Sequence, residues 1–167
     1  MLAKFAVRMA GMIVFSLMLM NVFPGKPEAV SAADGLQGWE AGSAYNNLYD
    51  PKERDSLKGR VVDFIEVTPL PGMAPGTAFI LQEGEDDKIL VHVCPEAFAS
   101  AKDIGVRVGD KVKVKGSWVE IDGEDVFVAA KVKKGDHFEF KVRLTSDGTP
   151  FWTMSPEQLK EEREHSE

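Results

Sequence analysis

His92 and Cys94 stand two residues apart in an apolar run. Side chains on a strand alternate between faces, so both are expected on one face. Imidazole and thiolate both ligate zinc, copper and iron. A metal or haem contact through His92 and Cys94 is therefore one role open to the pair. A closed metal site needs three or four ligands. The other histidines, His137 and His165, lie far along the chain, and no Cys-x-x-Cys or His-x-x-x-His accompanies them. A second role is a redox-active or nucleophilic thiol, with His92 in reach as base and a predicted helix N-terminus beside Cys94 favouring thiolate. The third is structural. Cys94 is the only cysteine, so no internal disulfide exists, and a lone cysteine is commonly buried. No acid partner for His92, phosphate-binding glycine loop or catalytic-serine elbow is present, and the chain reads as a non-enzyme.

Lysines form the second constellation. Lys111, Lys113 and Lys115 alternate with valines, and Lys131 and Lys133 repeat the spacing further on. Lysines on one strand face are either a solvated surface or an anion-binding patch. With Trp118, Phe127 and Phe79 as stacking groups, they have the chemistry of a single-stranded nucleic-acid groove. Lys113, Lys131 and Trp118 are the candidates there. A third region is the loop Thr68–Gly76, with Pro69, Pro71 and Pro75. Each proline removes a backbone donor, so this stretch cannot continue a strand ladder, and long loops often carry function. Pro71 and Met73 are its candidate contacts.

The elements that must position these residues are mostly strands. Apolar alternation predicts strands over Gly59–Val67, Thr77–Gln82, Lys88–Val93, Lys111–Glu120 and Asp125–Lys133. The first loses its phase near Asp63-Phe64, which predicts a bulge. Asp122-Gly123 is a hairpin turn. Pro95–Ile104, with Phe98, Ala101 and Ile104 spaced along one face and Gly105 after it, predicts a short helix. Phe138, Phe140, Val142 and Leu144 predict one further ribbon that covers a sheet edge. Ser155-Pro156 with Gln158 predicts a helix start in the charged tail. The expected fold class is mainly β: a five-stranded barrel of the oligonucleotide/oligosaccharide-binding (OB) type, one short helix between strands three and four, and an extra C-terminal ribbon.

The ends lie outside that barrel. Lys4 and Arg8 precede an apolar run, Met9–Phe23, and Val30-Ser31-Ala32 offers the small residues of a cleavage site. The run is about 15 residues, short of the roughly 20 that span a bilayer, so it reads as a cleaved secretory signal. Membrane attachment is expected only through an uncleaved signal. The chain divides into a signal at 1–32, a lead-in at 33–56, the barrel domain at 57–152 and a charged tail at 153–167. Trp39, Tyr45, Leu48 and Tyr49 make the lead-in too apolar for a disordered linker and are expected to dock on the barrel. Cleavage would remove Lys4, Arg8 and Lys26 against Glu28, taking the net charge from −7 to −9. So acidic a protein repels nucleic acid unless a local basic patch dominates.

Leu57-Lys58-Gly59-Arg60-Val61-Val62, the Val108–Gly116 stretch and Ile121-Asp122-Gly123 resemble the small exported bacterial OB-fold proteins of the periplasmic, stress-associated type. The lead-in Tyr45–Pro51 is also similar to the Tyr-Asn-Asn-Leu-Tyr-Asp-Pro segment of related exported proteins. Those carry Val-His-Leu-Gly-Pro where this chain has Val91-His92-Val93-Cys94-Pro95. His92 and Pro95 match that pattern; Cys94 replaces a glycine. The resemblance spans residues 45–152 and implies an exported binding module in the periplasm or outside the cell. Its expected place is as an accessory of a cell-envelope or periplasmic complex, with an envelope protein as partner and a small ligand as a further option, both ahead of nucleic acid, which the lysine-lined strands keep as the alternative.

Overall fold

The computed structural model describes residues 34–164. The expected signal at 1–32 lies outside them. Six strands form: β1 (Arg54–Val67), β2 (Gly76–Gln82), β3 (Lys88–Pro95), β4 (Lys111–Ile121), β5 (Glu124–Lys134) and β6 (Phe138–Lys141). They pair in the order β3-β2-β1-β4-β5-β6, all antiparallel. β3 also pairs in parallel with β5, through Val91–Phe127 and His92–Val128, so the first five strands close into a ring.

β1 can serve two neighbours because it bends. Its first half pairs with β4 and its second half with β2. The register shifts between Val61 and Asp63, one residue before the expected bulge. The β4–β5 turn holds Asp122 at φ 53° and Gly123 at φ 80°. Two successive positive φ values match the right-handed twist of the hairpin. β6 pairs with Lys131–Lys134, the stretch of β5 that β3 leaves uncovered, so the extra ribbon covers an edge as expected.

The helix expected over Pro95–Ile104 does not form. Phe98 and Ala99 both donate to the Pro95 carbonyl, and the turn stops there. Asp103 then accepts from the Ser100 amide and hydroxyl, at 2.9 and 2.6 Å, while its own amide returns to the Ser100 carbonyl. Such local side-chain bonds compete with a helical ladder. The Ala99 carbonyl, which a helix would use, accepts from Thr77 Oγ1 and Cys94 Sγ instead. Among the described residues the single α-helix is α1 (Pro156–Glu164), after the ring. Ser155 and Gln158 exchange backbone–side-chain bonds at its start.

Two apolar clusters hold the molecule. Inside the ring lie Leu57, Val61, Phe79, Leu81, Val91, Val93, Val112, Val114, Phe127 and Val132, with Ile104 and Val106 sealing one end. Outside it, Val119, Val126, Val128 and Ala130 present a second apolar face. β5 is therefore buried on both faces over Val126–Ala130. The lead-in covers the second face: Trp39, Tyr45 and Tyr49 are all buried there with Ala74 and, more openly, Leu70, Met73 and Leu90. Trp39 Nε1 donates to the Ala74 carbonyl at 2.8 Å. Gly76 lies against the Trp39 indole, where a Cβ would overlap the ring. The segment after β6 returns to the same place, and Trp152 Nε1 donates to the Trp39 carbonyl at 2.7 Å. Among the described residues no helix is long and apolar enough to cross a membrane.

Candidate functional site

Strand register sets the lysines in rows. Lys58 stands opposite Lys113, and Lys113 opposite Lys133. In the next row Lys115 stands opposite Lys131, and Lys131 opposite Lys141. Arg60 and Lys111 form a third pair. Directly opposed residues share a face and hold their Cβ atoms about 5 Å apart. Eight cations thus gather on the outer face of β1, β4, β5 and β6, in a chain of net charge −7.

One acid enters those rows. Glu139 stands opposite Lys133 and places its carboxylate 3.0 Å from Lys133, 3.5 Å from Lys131 and 3.5 Å from Lys141. The hydrogen bond from Lys133 and the charges of Lys131, Lys133 and Lys141 outweigh partial burial and hold it below the ordinary carboxylate range. Lys58, Lys111, Lys113 and Lys115 have no ion-pair partner among the described residues. Opposed like charges destabilise a sheet, so this face carries an electrostatic cost that a bound anion would relieve. Beside the rows a cavity of about 780 Å³ opens between Lys58, Arg60, Lys111, Lys113 and Lys133 on one side and Glu83, Gly84 and Asp136 on the other.

Lys113 and Lys131 are therefore brought together on one face. Trp118 is not. It shares the inner face with Leu57 and Val114, meets Phe127 edge-on at 5.1 Å between centroids, and points its Nε1 at Asp55. Phe79 and Phe127 are fully buried inside the ring. None of the three expected stacking groups lies among the lysines. Met73 is packed under the lead-in against Gly38. Pro71 is exposed on its loop. The face that the loop Thr68–Gly76 borders is thus filled by the chain's own aromatics.

His92 and Cys94 part company. Thr77 and Ala78 stand opposite Cys94 and His92, leaving Val93 as an extra residue in β3. This bulge breaks the alternation. Cys94 turns into the ring with Val91 and Val93, while His92 turns outward to the Tyr45 side chain. The Tyr45 hydroxyl and His92 Nδ1 share a hydrogen bond of 3.0 Å. Burial, and secondly the Arg143 charge, lower the His92 pKa to about 4, so the imidazole is neutral at ordinary pH. Burial pushes the Cys94 thiol up to about 12. A thiol so held is protonated at ordinary pH, and its Sγ donates to the Ala99 carbonyl at 3.4 Å. No group of three or more His, Cys, Asp or Glu converges among the described residues.

Arg143 is the residue that pattern reading missed. In Lys141-Val142-Arg143-Leu144 it looks like one more surface cation, yet it is 1% exposed. Its Nη1 donates to Asn46 Oδ1 at 2.7 Å, and its guanidinium lies 4.6 Å from the Trp152 ring centroid and 5.8 Å from that of Tyr45. Its Nε and Nη2 have no hydrogen-bond partner. It clamps lead-in to ribbon. Lys58, Arg60 and Lys141 were also absent from the expected patch, although Lys58 and Arg60 alternate visibly with Leu57, Gly59 and Val61.

A family model described as the MamS/MamX magnetosome protein family matches residues 53–139, just over half the chain. The match begins one residue before β1 and ends within β6, so it spans the ring and excludes Trp39, Tyr45 and Tyr49 of the lead-in and Arg143. No curated protein matches. Among solved structures, the chain is similar to a mitochondrial single-stranded DNA binding protein from S. cerevisiae, at 17% identity, covering 53% of this chain and 95% of that one, TM-score 0.41. It is also similar to the Stn1-ten1 complex of S. pombe, at 11% identity, covering 68% and 73%, TM-score 0.37.

Proposed function

Since this chain belongs to the MamS/MamX magnetosome protein family, we propose that it is an exported, non-enzymatic binding module associated with the magnetosome, and that it takes an anionic partner on the lysine rows of β1, β4, β5 and β6. Its ring is an OB-type barrel. The pairing order around the ring, β1-β2-β3-β5-β4, supports that reading. The loop between strands one and two, which borders the usual ligand face of such barrels, packs through Leu70, Met73 and Ala74 with Trp39 and Tyr45 against Val119, Val126, Val128 and Ala130. The lysine rows occupy the other half of this outer face, the half that the lead-in leaves uncovered, and binding is assigned there.

The observation that carries the proposal is the cross-strand stacking of Lys58, Lys113 and Lys133 beside Lys115, Lys131 and Lys141. The test is a titration of fluorescent polyglutamate and of oligo-dT against the purified protein at several salt concentrations. Affinity falling steeply with salt is the expected result. The double variant Lys113→Glu/Lys133→Glu should weaken binding by at least about tenfold, since charge-assisted contacts contribute about 1.5–3 kcal/mol each. Lys113→Thr should weaken binding while leaving the fold as stable or more stable by about 0.2–1 kcal/mol, because it relieves a like-charge pair. Binding of neither polymer, or binding indifferent to both variants, would sink the proposal.

A further inference from the structure

We propose that the anion taken by this face is the phosphoryl group of a small soluble molecule, bound by Lys58, Arg60, Lys111 and Lys113. This rests on the lysine rows being a ligand face.

Register draws two squares of the same plan on that face. In one, Lys131 stands opposite Lys141 and Lys133 opposite Glu139. In the other, Lys113 stands opposite Lys58 and Lys111 opposite Arg60. Each square spans two antiparallel strands, with its corners two residues apart along each strand. The first contains its own anion: the Glu139 carboxylate lies 3.0 Å from Lys133 and 3.5 Å from both Lys131 and Lys141. In the second, Arg60 stands at the corner that Glu139 holds in the first. No acid among the described residues forms an ion pair with any of its four cations. All four line the cavity of about 780 Å³.

The first square shows how many cations a carboxylate can serve. Glu139 is a monoanion, and two of its three lysines share one oxygen, Oε2. A fourth cation in place of the acid calls for more charge and more acceptors. A phosphoryl group brings close to two negative charges and three acceptor oxygens. The arginine fork that best matches a planar carboxylate is not wholly free here, because Arg60 Nη1 donates to the Gly109 carbonyl at 2.6 Å. The three lysines are point charges with rotatable donors, suited to oxygens that point in several directions. The cavity then limits the size of the ligand. Glu83 and Asp136 bound it on the other side, so a long polyanion leaving there, or an anionic bilayer laid across it, would meet two carboxylates.

The experiment titrates pyrophosphate, citrate and oligo-dT against the purified protein by calorimetry at fixed ionic strength. It also cosediments the protein with phosphatidylcholine vesicles carrying phosphatidic acid. Pyrophosphate is expected to bind at least about tenfold more tightly than citrate or oligo-dT. Arg60→Glu gives the second square the composition of the first, and should weaken pyrophosphate binding by at least about a hundredfold. The new acid faces Lys111, so the fold is expected to survive. Lys111→Gln leaves the bond of Arg60 to Gly109 in place and should weaken binding about tenfold, which keeps the test sound if the first variant unfolds. Citrate binding as tightly as pyrophosphate would overturn the phosphoryl group, and pyrophosphate binding unmoved by both variants would overturn the site. In either case, salt-dependent binding of polyglutamate that Lys113→Glu/Lys133→Glu weakens would leave the anionic reading standing. Cosedimentation with the vesicles without binding of pyrophosphate would move the phosphoryl group to a lipid headgroup and overturn the soluble ligand. Binding of no anion would remove both readings.

Discussion

Acid should unfold this protein through His92 before its carboxylates respond. His92 is 3% exposed and hydrogen-bonded to the Tyr45 hydroxyl, beside an Arg143 that repels a second positive charge. Its pKa is about 4 in the fold, against about 6.5 in an unfolded chain. The unfolded state therefore binds more protons between those values, and stability falls as pH drops through them. Complete passage through the window costs about 3 kcal/mol, and the step from pH 7 to pH 5 about 2 kcal/mol. That is a large share of the roughly 5–15 kcal/mol that holds a small domain. Asp103, Asp110 and Glu139 are held below their ordinary values and titrate lower. The Cys94 thiol and Tyr45 phenol are both pushed up by burial and stay protonated throughout. Urea unfolding followed by tryptophan fluorescence at pH 7, 6 and 5 measures the loss. His92→Asn retains an acceptor near Nδ1 but cannot take a proton, so its profile should be flat by comparison. A variant that loses as much stability as the parent, or a His92 that titrates near 6.5 by NMR, would refute the reasoning.

Two further outcomes follow from the same region. Arg143→Met should be neutral or stabilising by about 1 kcal/mol in urea unfolding, because it removes a buried cation with two unpartnered donors while retaining contact with Trp152; it should also move the His92 pKa back toward its ordinary value. Gly76→Ala should destabilise by roughly 1–3 kcal/mol, since the new methyl group overlaps the Trp39 indole; a lowered melting temperature with red-shifted tryptophan emission would report the displaced lead-in.

All six strands were legible because alternation is a local property. Val112 and Val114 face inward and Lys111, Lys113 and Lys115 outward, as period-two patterning requires. The misread helix shows where that logic stops. Phe98 and Ile104 are spaced as a helix face, but Ile104 is buried in the ring and Phe98 lies 5.6 Å from Trp152 between ring centroids. Each residue answers to a distant partner, and Ser100 and Asp103 bond to each other between them. The site divides in the same way. Lysines on β4 and β5 could be seen, but their stacking on Lys58 and Lys141 depends on register, which a single strand does not carry. The single extra residue at Val93 undid the pairing of His92 with Cys94. Arg143 was invisible because what buries it, Tyr45 and Asn46 of the lead-in, lies almost a hundred residues away in sequence.

The clamp between lead-in and ribbon also imposes an order of assembly. Trp39 meets Trp152 across 113 residues, and Asn46 meets Arg143 across 97. The ring strands join over shorter separations, and closing longer loops costs more chain entropy. Ring closure can therefore precede the clamp, but the clamp cannot fasten until the last strand and the Phe151–Thr153 turn have been made. Until then the cover over Val119, Val126, Val128 and Ala130 is held only by the bonds of Trp39 to Ala74 and of Tyr45 to His92. Trp152 and Arg143, the last of these groups to be synthesised, therefore fasten a cover whose first residues, Trp39 and Tyr45, lie at the other end of the fold.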